Sequence, residues 1–222
     1  MKKMIVTIII LLIIFISMVV YKNSLAKAEV TLEEINQIEE YMDKIYSYKE
    51  ITGIALPEFD NPQNADEKWI WGIVRKNIDD YEIDKSKVQG TINDLFGNTL
   101  NKEFPNDGTE FITYNEEKQI YITKELQIDA IKDSFYIKKI EKNDNEYSVH
   151  IVEYLVDYTD ESGNKAIIKN LSDETIKELS QKQATEENIT KAVKENMSKF
   201  NKKEVTLEKQ GENIVIKKVE KE

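Results

Sequence analysis

The stretch that decides the fold reads FYIKKI at 135–140, EKNDNE at 141–146 and YSVHIVEYLVDY at 147–158. The two outer segments are rich in β-branched and aromatic residues, which suit a pleated, half-buried surface. The polar middle, with Asn143, Asp144 and Asn145, suits a reversal of the chain, so the whole reads as a β-hairpin. Alternation along the second arm puts Tyr147, Val149, Ile151 and Leu155 on one face. His150, Val152, Tyr154, Val156 and Tyr158 fall on the other. Apolar or aromatic groups on both faces imply a central strand covered, at least in part, on both sides.

Upstream of the hairpin the period is helical. Thr31-Leu32-Glu33-Glu34 is a capping box, and Leu32, Ile35, Ile38, Met42, Ile45 and Tyr48 follow at three- and four-residue spacing, predicting an amphipathic helix over 32–50. Residues 51–64 read as a loop. A second helix is expected over 66–80, with Ile70, Val74 and Ile78 on one face, widened by Trp69, Ile73 and Tyr81. Asp84 is placed to cap a third, with Val88, Ile92, Leu95 and Phe96 inward and Gly97 as its stop. After a turn at Asn106-Asp107-Gly108, two short strands are expected about Asn115-Glu116-Glu117, and 124–133 fits either a short helix or a bent strand.

Downstream of the hairpin, a turn at 161–164 leads to Ala166, Ile167 and Ile168. Ser172 is placed to cap a short helical stretch carrying Ile176 and Leu179, and Thr185 a longer one with Ile189, Val193, Met197 and Phe200. A closing hairpin turns at Gln210-Gly211-Glu212-Asn213. The expected architecture is α+β: an N-terminal transmembrane or signal helix, then three helices, then a mostly antiparallel sheet with one or two inserted helices and a C-terminal hairpin. That order is similar to the cone-shaped NTF2-like and cystatin-like folds.

The N-terminal expectation rests on residues 1–28. Lys2 and Lys3 precede an uncharged apolar run over 5–21, long enough for a helix of about 25 Å, at the short end of what spans a bilayer. The lysines would stay inside, giving a single-pass anchor with the C-terminus out, or a secreted domain after cleavage between Ala28 and Glu29, since Ala26 and Ala28 form an A-x-A site. Residues 29–222 are then one extracytoplasmic domain, touching the membrane only through the N-terminal segment.

The charge balance narrows the partners. The net charge is −11, from 42 acidic and 31 basic residues. Four of the bases (Lys2, Lys3, Lys22, Lys27) and none of the acids lie in the first 28 residues, so 29–222 carry −15. Such a surface repels a phosphate backbone, and no nucleic-acid partner is expected. There is no cysteine, which excludes disulfides, thiol catalysis, thiolate metal sites and an acylated cysteine. No phosphate loop, dinucleotide fingerprint or H-E-x-x-H motif is present, and no cofactor is implied.

The candidate site residues are few. His150, the single histidine, is a possible general base, although a lone histidine within an apolar strand is more often a structural residue. Glu153 is the one carboxylate inside the apolar part of that strand, and a surface or edge salt bridge accounts for it more cheaply than a catalytic acid does. Trp69 and Trp71, two apart on a helix and so facing different ways, are candidates for a ligand platform against a plain core role. Tyr154 and Tyr158 are candidates for a recognition face on the sheet. Asp157 and Asp160, with Glu161 and Asn164, offer oxygens of the kind calcium takes without matching the EF-hand pattern; solvated turn carboxylates are the simpler account.

Leu95-Phe96-Gly97, the tyrosines at 114 and 121, the hairpin ending near Tyr158 and the closing Lys217-Lys218-Val219-Glu220-Lys221 together resemble small exported proteins of low-GC Gram-positive bacteria. The resemblance spans roughly 67–221 and implies export without implying an activity. The functional expectation is a non-enzymatic binding module for an envelope protein or a cell-wall component. The alternatives are an exported hydrolase or isomerase using His150 or Glu153, and a membrane-tethered structural or assembly subunit.

Overall fold

A computed structural model of the protein describes residues 29–47, 53, 55–78, 80–100, 112–124, 131–158 and 165–222. Helix α1 spans Leu32–Ile45. Its start is fixed by the capping box: Thr31 Oγ1 accepts the Glu34 N–H at 3.2 Å, and Glu34 Oε2 accepts the Thr31 N–H at 3.0 Å. Helix α2, Glu67–Asn77, is capped by Asp66, whose Oδ1 accepts the Trp69 N–H at 3.0 Å. Strand β1, Glu82–Asp84, runs straight into helix α3, Lys85–Phe96. Gly97 ends α3 with φ of 53°, and a Cβ there would sit 2.5 Å from Gln210 Oε1, so both backbone and space call for glycine.

Two separate antiparallel sheets follow. The small one orders as β1-β3-β2, with β2 at Ile112–Asn115 and β3 at Ile120–Thr123. The large one contains β4 (Ile131–Asn143), β5 (Glu146–Asp157), β6 (Lys165–Lys169), β7 (Thr175–Ser180), β8 (Asn201–Gln210) and β9 (Asn213–Lys221). Helix α4, Glu186–Glu195, lies between β7 and β8 in sequence. Two-residue turns join β4 to β5 and β8 to β9, opened by the positive φ of Asp144 and Gly211, as tight hairpins require.

Strand β5 is the axis of the large sheet. Tyr147, Val149 and Ile151 enter a core built with α1, α2, α3, β8, β9 and the small sheet. Val152, Tyr154 and Val156 enter a second core with Ala166, Ile168, Leu179, Phe200 and the α4 residues Ile189, Ala192 and Val193. Successive side chains of a strand point to opposite faces, so one strand serves both cores. Helices α1–α3 therefore cover one face of the large sheet and α4 the other.

The expected architecture is corrected in several respects. A strand, β1, separates the second and third helices, and the strands divide into two open sheets, neither closed into a barrel. That is not the single sheet of an NTF2-like or cystatin-like fold. Residues 175–180 form strand β7 and not a helix. Ile176 and Leu179 fit a helical spacing equally well over so short a stretch, and antiparallel pairing with β6 decides it. The expectations of a transmembrane or signal helix, of an anchored or secreted protein and of partners in the envelope are corrected too. Among the described residues no helix is long and apolar enough to cross a membrane. The 1–28 segment that carried those expectations lies outside the described residues, as do the turns at 106–108 and 161–164.

Candidate functional site

Strand β5 is paired along one side by the whole of β4, and along the other by β8 and β6 end to end. Strand β4 is thus an edge strand. No described strand lies on its outer side. A long edge is a template for another chain and is normally defended. The outer edge of β9 is held by Phe59, whose N–H and C=O pair with Val219 at 2.9 and 2.8 Å. The second half of β4 carries its own defences. The register with β5 shifts between Ile137 and Lys139, a bulge that bends the strand, and Lys138, Lys139 and Lys142 follow. The first half keeps an uninterrupted register, from Ile131 opposite Asp157 to Ile137 opposite Ile151.

A cleft of about 620 Å³ lies against this first half. It is lined by six successive residues of β4, Lys132, Asp133, Ser134, Phe135, Tyr136 and Ile137. Phe135 and Ile137 pack toward the α1 side and Tyr136 toward the α4 side. A single cavity touches both sets only by running along the free edge between the two faces. One wall is Glu39, Asp43 and Tyr46 with Lys76; the other is Ala184, Glu186, Ile189 and Thr190. Tyr154, Val156 and Tyr158 of β5 and its extension complete it.

The walls are acidic and aromatic. Four carboxylates (Glu39, Asp43, Asp133, Glu186) face two lysines (Lys76, Lys132). Lys76 Nζ is committed to the carbonyl oxygens of Asp43 at 2.5 Å and Tyr46 at 2.7 Å, the end of α1 where a cation complements the helix dipole. Burial holds the Lys76 ammonium below its ordinary pKa, against the pull of Asp43. Burial raises the Asp43 carboxyl, Lys76 opposes that, and the negative charge of Glu186 adds to it. Asp43 and Glu186 thus feel one another although they come from helices on opposite faces of the sheet. Lys132 Nζ stands 6.0 Å over the Tyr158 ring, and Lys194 Nζ 5.0 Å over the Tyr136 ring, both within cation–π range. Burial pushes the Tyr154 hydroxyl up to about 12, with the charge of Glu186 contributing.

Tyr154, 7% exposed, and Tyr158, 37% exposed, are the sequence candidates that meet here. Trp69 and Trp71 do not: both are buried. Trp69 donates from Nε1 to the Ile45 carbonyl at 3.0 Å and meets Phe96 edge-on at 5.9 Å, while Trp71 packs against Tyr121 with the rings tilted at 52° and their centroids 5.2 Å apart. Trp69 is thus enclosed by α1, α3 and Phe59, and Trp71 is covered by Tyr121 of the small sheet. Glu153 is sealed beneath β5, with Lys203 Nζ 2.9 Å from Oε2 and the Tyr46 hydroxyl donating to Oε1 at 3.1 Å. His150 lies on the opposite face, Nδ1 against Glu222 and Nε2 3.5 Å from Glu141. Neither Glu153 nor His150 lines the cleft. Asp157 is paired with Lys169 at 2.7 Å; Asp160 lies outside the described residues. Among the described residues no group of three His, Cys, Asp or Glu side chains is placed to hold a metal ion.

Sequence reasoning did not single out Asp43, Glu186 or the edge of β4. The one local signal was Glu39 and Asp43 at i and i+4, one helical turn apart on the same stripe. In comparisons with known proteins, no family model, no curated protein and no solved structure matches this chain.

Proposed function

We propose that this protein is a non-enzymatic binding module that takes an extended segment of a partner protein as an added strand on the free edge of β4. The observation that carries the reading is the cleft lined by six consecutive β4 residues. An edge strand set between two helices is what strand addition needs, and the Ser134 carbonyl, which accepts from the Tyr46 hydroxyl at 3.4 Å, would exchange that donor for the incoming strand. Main-chain hydrogen bonds supply affinity, and pockets on alternate sides supply selectivity. The cleft volume is in the range of about 300–1,000 Å³ usual for binding sites. The contrast within β4 adds support: the bulged, lysine-rich half is closed to pairing and the regular half is left open. His150 and Glu153, the candidates for an acid–base mechanism, lie on opposite faces of β5, and neither lines the cleft.

The test is amide hydrogen exchange and fluorescence anisotropy with labelled decapeptides of alternating threonine and valine. Binding slows exchange at 131–137 and not at β7, an end strand of the same sheet. The same peptide N-methylated at its central amides binds at least about tenfold more weakly, because several hydrogen bonds of about 0.5–1.5 kcal/mol each are lost. Equal binding of the methylated and unmethylated peptides, or protection confined to another surface, sinks the proposal.

A further inference from the structure

Resting on that reading, we infer that the cleft selects a segment carrying a lysine or arginine, whose cationic head sits between Asp43 and Glu186 and whose stem lies against Tyr154 and Tyr158. The argument is charge complementarity inside an aromatic cleft. Of the six charged groups lining it, four are carboxylates. One of the two lysines, Lys76, is spent on main-chain carbonyls, and the other, Lys132, is drawn over the Tyr158 ring. The acidic excess therefore lies on the two walls of the cleft, Glu39 and Asp43 from α1 and Glu186 from α4, with Asp133 of β4.

Asp43 supplies the second line of argument. Its carboxyl is held above its ordinary pKa by burial; Lys76 opposes that, and the negative charge of Glu186 adds to it. With Lys76 held on main-chain carbonyls, an incoming cation offsets the part of the effect that Lys76 leaves. The tyrosine walls suit the rest of such a side chain, since lysine and arginine bury their methylene stems on apolar surface while the head stays with charge. The ammonium of the protein's own Lys194 stands over Tyr136, one of the cleft's rings, so a cation is already accommodated by its aromatic wall. A net charge of −11 steers a basic segment toward the protein at long range.

The experiment uses the full chain and three labelled decapeptides of alternating threonine and valine, differing only in a central lysine, norleucine or glutamate. The lysine peptide is expected to bind about tenfold more tightly than the norleucine peptide, and the glutamate peptide most weakly. Raising the salt concentration narrows the gap. In the double variant Asp43→Asn, Glu186→Gln, the lysine and norleucine peptides bind within about twofold of each other, and the norleucine affinity stays at its wild-type value, which also shows that the fold is intact. Equal binding of lysine and norleucine peptides to the wild type overturns the cationic selectivity and leaves strand addition standing. Failure of all three peptides to bind overturns strand addition, and this inference with it.

Discussion

The hydroxyl of Tyr41 accepts the main-chain N–H of Ile216 at 2.7 Å, joining α1 to β9 across the core. The same hydroxyl donates to the carbonyl oxygen of Leu95 at the end of α3. Strand β9 is the outer strand of the large sheet, and the bulge between Thr206 and Leu207 breaks its register beside Ile216. Its outward N–H is enclosed where no water reaches it, so a side chain has to satisfy it. Tyr41 is 6% exposed, and burial pushes its hydroxyl pKa far up.

Tyr41→Phe therefore leaves two enclosed main-chain groups without a partner while keeping the ring. The expected loss is about 1–3 kcal/mol, the range for an unmet buried polar group. A urea unfolding series reads it as a lower midpoint with unchanged slope. A midpoint equal to wild type would show that Tyr41 is held by packing alone.

Glu153 and Lys203 form an ion pair removed from water, 1% and 8% exposed, with Lys203 also donating to the Leu56 carbonyl at 2.5 Å. Removing one member strands the other. Glu153→Leu or Lys203→Met alone should each cost about 3–5 kcal/mol, whereas the two together should recover most of that, because an apolar pair of similar size avoids the desolvation penalty. A thermal-unfolding double-mutant cycle checks it. Simple additivity of the two losses would mean that the pair does not act as a unit.

Glu34 closes the first turn of α1 and receives Lys142 Nζ at 2.6 Å and the Tyr147 hydroxyl at 2.8 Å. The Lys142 hydrogen bond, followed by the Thr31 main-chain donor, lowers its pKa from 4.5 to about 2. A carboxylate with a depressed folded pKa contributes stability that is complete above its unfolded value and lost as the pH falls through the folded one. The contribution of Glu34 should therefore fade between about pH 4.5 and pH 2. Glu34→Gln should be less stable than wild type at neutral pH and equal to it at the acid end of that window. A stability difference between the two that stays constant across this range would refute the assignment.

The parts of the fold that were legible in the sequence are those governed by neighbours along the chain. Thr31 and Glu34 are three residues apart, and the box they form needs nothing beyond one turn of helix. Asp66 and Thr185 cap α2 and α4 for the same reason. The hairpin of β4 and β5 follows from alternation and a polar turn, and the two apolar faces of β5 already pointed to a covered central strand. The misread segment shows the limit. Ile176 and Leu179 satisfy either period in six residues, and only β6 alongside settles it as strand.

The candidate site was legible in part. Tyr154 and Tyr158 stood out because aromatic groups at spacing two and four share a strand face, and both line the cleft. Trp69 and Trp71 stood out as large aromatics that a platform could use, although helical spacing faces them different ways. Spacing carries no information about the small sheet that closes over Trp71 through Tyr121.

By itself, then, the sequence determined the acidic balance, the absence of thiol chemistry, the starts of the capped helices and the two-faced central strand, since each depends on composition or on residues a few positions apart. Only the tertiary structure decided that β4 is an edge strand among the described residues, that a bulge divides it, and that Asp43 and Glu186 line one cleft beside it. Those facts depend on which strands pair and on which face each helix lands. That is settled by the burial of apolar surface between segments far apart in the chain, and no local pattern records it.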